Sequence, residues 1–186
     1  MSSPFFSLGS YGFGITNGTA TLTSNNLITS SSSNIQLSFK LASFSIGGNG
    51  NGADATDIVT VEISPDGGTT YYSTIRVLGN NNATWPFTGT QSASTAYDGN
   101  ATPVDFQATT NATDGYSLVT ITGLPAVANL KVRITLLNNA ASERWVIDNF
   151  NISGSSNSIY VSGYQDLSVS ATSKSVTGLS PNTKYY

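Results

Sequence analysis

The chain has 186 residues, of which only 9% are charged and 10% are aromatic, and its seven Lys and Arg against ten Asp and Glu give a net charge of −3. The absence of His and Cys excludes a Ser-His-Asp triad, a thiol nucleophile, disulfides and zinc sites built from either residue. The basic residues are scattered and form no patch, so we expect no nucleic-acid partner.

The start of the chain and its longest apolar runs bear on targeting. No basic segment precedes an apolar one, and no apolar run reaches the length of a membrane span. The sequence therefore predicts neither a signal peptide nor a transmembrane segment. A surface rich in hydroxyl and amide groups, with few charges, suits a secreted protein, and the lack of Cys permits that compartment without requiring it.

Alternation of apolar and polar residues recurs along the chain and no sustained helical periodicity interrupts it, so we predict an all-β protein. The clearest strand is predicted over 34–46, with an inward face of Ile35, Leu37, Phe39 and Leu41. A second strand carries Val59, Val61 and Ile63 on its inward face. It ends in a predicted turn over 64–68, from which the chain returns as a strand over 70–78; Asp66 is interpreted as a turn former.

The segment 79–115 is rich in Gly, Asn, Thr and Ala, and we predict long loops around short strands there. Trp85 and Tyr97 are the candidate ligand-binding residues in this segment. A flat, apolar indole can stack on the C–H face of a sugar ring. The alternative is that Trp85 fills an edge of the core, as large aromatic side chains commonly do.

Two further strands are predicted over 116–122 and 130–136, and we expect them to pair like a hairpin across Pro125. The next strand, over 144–152, is predicted to place Val146, Asp148, Phe150 and Ile152 on one face. A carboxylate on an inward face must be paired, hydrogen-bonded or bound to a metal. Asp148 is therefore the residue of this strand that hints at a site.

The run from Asp57 to Tyr71, with its Ser-Pro-Asp-Gly-Gly-Thr-Thr turn, and the later run from Trp145 to Phe150 resemble secreted modules of the Bacteroidetes. Those modules are jelly rolls similar to MAM-type and carbohydrate-binding domains. The resemblance implies an antiparallel jelly-roll β-sandwich over 1–154. In the family pattern the last strand reads Ile-Asp-Asp-Val, so Asp148 matches the first aspartate and Asn149 departs at the second.

In some sandwiches of this type a calcium or sodium ion ties the first long loop to the last strand. The resemblance therefore implies Asp54, Asp57 and Asp148 as oxygen ligands of a hard cation, with calcium as the expected ion. The alternative is that Asp57 hydrogen-bonds its own turn and Asp148 a neighbouring backbone group.

The C-terminal residues 155–186 resemble part of a fibronectin type III repeat, on the strength of Gly178-Leu-Ser-Pro-Asn-Thr-Lys-Tyr185. The stretch is too short for a whole repeat, so we predict a linker and a short β extension. Its segments 159–169 and 174–186 are expected to pair with the first domain or with another copy of the chain.

Only Glu62 and Glu143 could join the aspartates in a catalytic pair, and both are expected on solvated surfaces, so we predict no enzyme. The resemblance implies a non-catalytic, secreted or cell-surface module of a larger multidomain protein. Its expected partners are neighbouring domains and a polysaccharide or cell-surface glycan, bound for recognition or adhesion. The alternatives are a structural spacer and, third, a hydrolase with an unrecognised carboxylate pair.

Overall fold

The computed structural model describes residues 3–4, 12–45, 52–80, 92–107, 117–156, 173 and 175–181. These residues are all-β and contain no helix, and so none that could cross a membrane. The described strands are β1 (Ser3–Pro4), β2 (Phe13–Ile15), β3 (Gly18–Thr23), β4 (Ser32–Ser45), β5 (Ile58–Ser64), β6 (Tyr72–Leu78), β7 (Ser92–Ala96), β8 (Val104–Gln107), β9 (Ser117–Thr122), β10 (Lys131–Asn138) and β11 (Glu143–Ser156).

The strands form two sheets. The first has the order β1-β11-β4-β9-β7, with β2 also paired to β11, and the second has the order β3-β10-β5-β6-β8. The antiparallel pairs are nested: β2 pairs with β11, β3 with β10, β4 with β9 and β5 with β6. The edge strand β7 pairs in parallel with β9, and the edge strand β8 pairs in parallel with β6. Both sheets are therefore mixed, and the predicted purely antiparallel arrangement is wrong at these two edges.

One apolar core is shared by residues of both sheets, which gives the protein the character of a β-sandwich. The predicted inward faces of β4 and β5 are confirmed, because every residue of both series is almost fully buried. Each such side chain contributes roughly 1.5–3 kcal/mol of transfer free energy on burial. The largest fully buried side chains include Phe39, Leu37, Leu41, Ile63, Ile134, Leu136 and Trp145.

The predicted turn between β5 and β6 is confirmed. Gly67 and Gly68 have φ angles of 78° and 98°, which L-residues with a side chain rarely adopt. The Asp66 carboxylate accepts hydrogen bonds from the Ser64 hydroxyl at 2.7 Å and from the Thr70 N–H at 2.9 Å. Asp66 is thus the turn former that its sequence context predicted.

The predicted pairing of the strands over 116–122 and 130–136 is wrong. The first strand is β9, which lies between β4 and β7, and the second is β10, which lies between β3 and β5 in the other sheet. Residues 123–127 cross between the sheets, and Leu124 donates its N–H to the Ile35 carbonyl at 3.0 Å on the way. The strands β9 and β10, which follow each other in the sequence, therefore lie in different sheets on opposite sides of the core.

The predicted inward face of β11 is also wrong in its first half. Val146 and Asp148 are partly exposed, because a β-bulge between Asp148 and Asn151 shifts the alternation by one residue. Asn149 occupies this bulge with a φ of 52°, a conformation in which Asn is enriched. The inward residues of β11 are Trp145, Ile147, Phe150 and Ile152.

Part of the C-terminal segment is described. Residues 173 and 175–181 are exposed and belong to no strand. The rest of the predicted segments 159–169 and 174–186 lies outside the described residues.

Candidate metal centre

Three acidic side chains meet where the loop before β5 approaches the start of β11. Asp54 and Asp57 belong to that loop, and Glu143 is the first residue of β11. One carboxyl oxygen from each of the three lies within 4.8 Å of the others. Asp57 is 0% exposed and Glu143 3%, while Asp54 is partly exposed. We call these three residues the acidic cluster.

Asp57 is held in place by backbone donors. One of its carboxylate oxygens accepts the N–H of Asp54 at 2.8 Å, and the other accepts the N–H of Asn139 at 2.9 Å. Its own N–H donates to the Asp54 carbonyl at 3.1 Å, which closes the local turn. Asp57 therefore joins the 52–57 loop to the turn before β11, and it does hydrogen-bond its own turn as the sequence alternative proposed.

Asp54 is oriented by its neighbour Thr56. One oxygen of the Asp54 carboxylate accepts the Thr56 hydroxyl at 2.6 Å and the Thr56 N–H at 2.8 Å. These hydrogen bonds stabilise the ionised form and lower the pKa of Asp54. The side-chain amide of Asn139 donates to the same Thr56 hydroxyl, so the loop and the β10–β11 turn are joined a second time.

Gly79, just after β6, sets how closely the loop can approach the sheet. Its N–H donates to the Asp57 carbonyl at 2.8 Å. A Cβ atom added to Gly79 would lie 2.0 Å from the Asp54 carbonyl oxygen, well inside van der Waals contact. Any other residue at this position would push away the loop that carries both aspartates.

Glu143 is the least favourably placed member of the acidic cluster. Its Oε2 atom is buried and has no hydrogen-bond partner among the described residues. Burial raises the pKa of Glu143 to about 7, and the neighbouring charges of Asp57 and Asp54 raise it in the same direction. A buried acceptor without a partner is destabilising, typically by about 1–3 kcal/mol.

The electrostatics of the acidic cluster call for a positive partner. The salt bridges found among the described residues join Arg76 to Asp105 and Arg133 to Glu62. In that part of the chain, no basic side chain forms a salt bridge with the acidic cluster. Carboxylates this close can all stay ionised only beside a cation; without one, a carboxylate of the cluster takes up a proton. The acidic cluster offers only oxygen ligands, which are those that hard cations prefer, so it could hold a metal ion.

Two of the three predicted ligands, Asp54 and Asp57, are brought together, but Asp148 is not part of the cluster. It lies further along β11, opposite Lys40 in the register, and its carboxylate accepts the Asn149 N–H at 2.7 Å. The bulge explains why Asp148 lies outside the cluster, because the extra residue in β11 leaves Asp148 on the outward face of the strand. The backbone bond fits the alternative interpretation of this residue.

Glu143 takes the third position, and the expectation that it is solvated is wrong. The sequence does contain a signal for this burial. Glu143 precedes Trp145 and Ile147 by two and four residues, and residues spaced in this way lie on the same face of a strand, here the inward one. The incorrect assignment of that face hid the residue.

The two aromatic candidates have different outcomes. Trp85 lies outside the described residues. Tyr97 is partly buried, packs against the core, and meets Tyr72 edge to face with ring centroids 6.3 Å apart. Burial raises the pKa of the Tyr97 hydroxyl. Its backbone N–H donates to the Thr122 carbonyl at 2.9 Å, which ties it to the end of β9.

No protein-family model matches the chain, and no curated protein sequence matches it. The chemistry of the acidic cluster must therefore be inferred from its own residues.

We predict that the metal-free protein loses stability as the pH rises from about 5 to about 8. The pKa of Glu143 is raised to about 7 in the folded state, above its ordinary value of 4.5. The folded state therefore keeps a proton that the unfolded state releases between these values, with a maximum slope on the order of 1 kcal/mol per pH unit. Urea denaturation in EDTA across this range measures it.

The Glu143→Gln variant should remove most of this slope, because it keeps the shape of the side chain without its titration. Glu62→Gln is the control, since that carboxylate pairs with Arg133 on the surface of the sheet. Wild-type stability that stays level or rises over this pH range would contradict the assignment.

Proposed function

We propose that the chain is a non-catalytic extracellular β-sandwich module of a larger secreted protein, that it binds glycan or mediates adhesion, and that the acidic cluster binds calcium. The observation that carries the calcium assignment is the buried Glu143 Oε2, which has no hydrogen-bond partner in the described part of the chain and lies beside two further carboxylates. A cation there would tie the 52–57 loop to β11 from both sides. The calcium would support the fold of the module and would take no part in a reaction.

The nested strand pairing supports a jelly-roll topology. The short strand β2 pairs with the last strand β11, and inside this pair β3 pairs with β10, β4 with β9 and β5 with β6, so the chain runs like one long hairpin wrapped around the core. Nested pairing of this kind is what a jelly roll, with two Greek keys in a double sheet, would have. The strands β7 and β8 are additions at the sheet edges, both from the connection between β6 and β9.

Burial argues against a hydrolase. Glycoside hydrolysis requires two carboxyl groups that face a sugar across an open groove. Asp57 and Glu143 are close together but almost fully buried, so a polymer could not reach them. Glu62, the other glutamate, accepts hydrogen bonds from two guanidinium nitrogens of Arg133 at 2.6 and 2.9 Å.

Calcium suits the acidic cluster better than magnesium. Calcium accepts six to eight oxygen ligands in irregular geometry, whereas magnesium requires a near-octahedral shell and gives up water reluctantly. The carboxylates of Asp54 and Asp57 are already held by hydrogen bonds to a loop and a turn, so they cannot rearrange freely into a regular octahedral shell. Extracellular modules typically bind calcium with dissociation constants of about 0.1–1 mM, so millimolar calcium is the range in which the site should be tested.

We predict that calcium raises the melting temperature of protein that has been stripped with EDTA. A ligand that binds only the folded state stabilises it by about 2.7 kcal/mol at a hundredfold excess over its dissociation constant. For a domain of this size that corresponds to roughly 5–10 °C. Differential scanning fluorimetry with calcium, and with magnesium for comparison, measures the shift.

Two variants assign the calcium effect to its ligands. Glu143→Gln should abolish most of the shift, because it removes a ligand charge from the centre of the cluster. Asp148→Asn should leave the shift unchanged, since Asp148 lies outside the cluster. A shift that disappears in Asp148→Asn and survives in Glu143→Gln would overturn the assignment, as would the absence of any shift in wild type.

The glycan-binding part of the proposal is distinguished from a structural spacer by direct binding. Trp85 and Tyr97 are its aromatic candidates, and Tyr97 keeps part of its ring exposed. We predict that wild-type protein is retarded in native gels cast with a soluble polysaccharide, and that Trp85→Ala reduces the retardation several-fold while Trp85→Phe retains most of it. A spacer would show no retardation by any polysaccharide tested.

A further inference from the structure

A pocket of about 500 Å³ lies at the far end of β4 from the acidic cluster. It is formed by the beginning of β4, the end of β9 and the segment that follows β9. A volume of this size is typical of small-molecule sites. The residues around it include Ser32, Ser33, Asn34, Gln36, Thr122 and Leu124.

The lining of this pocket has a distinct chemistry. Its polar side chains are amides and hydroxyls, and none of its lining residues is titratable. Each amide offers both a donor and an acceptor, and each hydroxyl can serve as either. Ile35 and Leu124 add apolar surface and are 2% and 5% exposed. Such a lining matches a neutral ligand that carries many hydroxyl groups on an apolar ring.

The backbone beside the pocket is unusual. Asn34 has a φ of 50° within β4, where extended backbone is the rule. Here β4 carries one more residue than β11, because Ser153 is opposite Gln36 whereas Ser155 is opposite Ser33. Such a bulge re-aims a side chain and is over-represented beside functional sites.

Gly154 of β11 makes room for this bulge. A Cβ atom at that position would lie 3.2 Å from the Ser33 carbonyl oxygen and 3.2 Å from a side-chain carbon of Ile35. The strand opposite Asn34 is therefore fitted closely to the distorted segment, and the shape of the pocket wall is fixed by packing.

The amides of Asn34 and Gln36 are available to a ligand. Both residues are exposed at the pocket, and neither side chain forms a hydrogen bond to the described part of the chain. Tyr97, the aromatic candidate from the sequence, is bonded through its backbone to Thr122 of the pocket wall. Tyr97 therefore lies beside the pocket that Asn34 and Gln36 help to line.

We propose that this pocket binds a neutral sugar residue, with Asn34 and Gln36 as the hydrogen-bonding side chains that select its hydroxyl groups. This inference rests on the proposed glycan-binding function and gives that function a place and a ligand class. The absence of charge in the lining predicts a preference for neutral over anionic polysaccharides.

The experiment is isothermal titration of wild-type protein with soluble xylan, β-glucan and galactomannan, and with polygalacturonate as the anionic comparison. The double variant Asn34→Gly with Gln36→Ala removes both amides, and glycine retains the backbone conformation of Asn34. We expect its affinity for the neutral polysaccharide that wild type binds to fall about tenfold or more, since each lost hydrogen bond weakens binding.

The matched control is Asn149→Gly, because Asn149 is an exposed asparagine of the same backbone conformation in the other bulge, with a φ of 52°. It should bind like wild type, and all variants should melt at similar temperatures. Unchanged binding by the double variant would overturn the proposal that this pocket binds the sugar, without contradicting the glycan-binding function itself. Binding of polygalacturonate alone would overturn the neutral ligand class, and no binding by wild type would overturn the glycan-binding function itself.

Discussion

Negative charge buried where the 52–57 loop meets β11 is the constraint on which this end of the protein depends. Asp57 bonds the backbone of both segments, and Gly79 lets the loop approach the sheet without a clash. The same packing buries Glu143 against two carboxylates, and within the described ranges one of its oxygens has no hydrogen-bond partner. The fold therefore creates a demand for a proton or a cation, and the proposed calcium would meet it at neutral pH.

The long pairing between β4 and β11 relates this centre to the proposed sugar pocket. Two bulges interrupt that pairing, one at Asn149 in β11 and one at Asn34 in β4, and the second restores the register that the first shifts. The first bulge separates Asp148 from the acidic cluster, and the second shapes the pocket wall. At about 3.3 Å per residue, the two regions are on the order of 40 Å apart along the strands, so each can be altered separately.

The sequence predicted the regular parts of this protein well, because alternation and turn chemistry act locally. The inward face of β4 and the Asp-Gly-Gly turn after β5 follow from those rules alone. The prediction that β9 and β10 pair was wrong, because sheet membership is decided by the whole core. The third ligand was missed because of the one-residue bulge at Asn149. The bulge shifts the alternation of β11, so that Glu143 lies on the inward face and Asp148, which was predicted there, on the outward face.

The most direct test of a cation in the acidic cluster is terbium luminescence. Terbium binds oxygen ligands much as calcium does and accepts energy from a nearby excited indole, which Trp145 supplies two residues from Glu143. In a Trp85→Phe background we expect emission that saturates at one ion per chain, is displaced by calcium, and is lost in Glu143→Gln. Folded protein that gives no sensitised emission, or equal emission with and without the Glu143 carboxylate, would contradict the cation site.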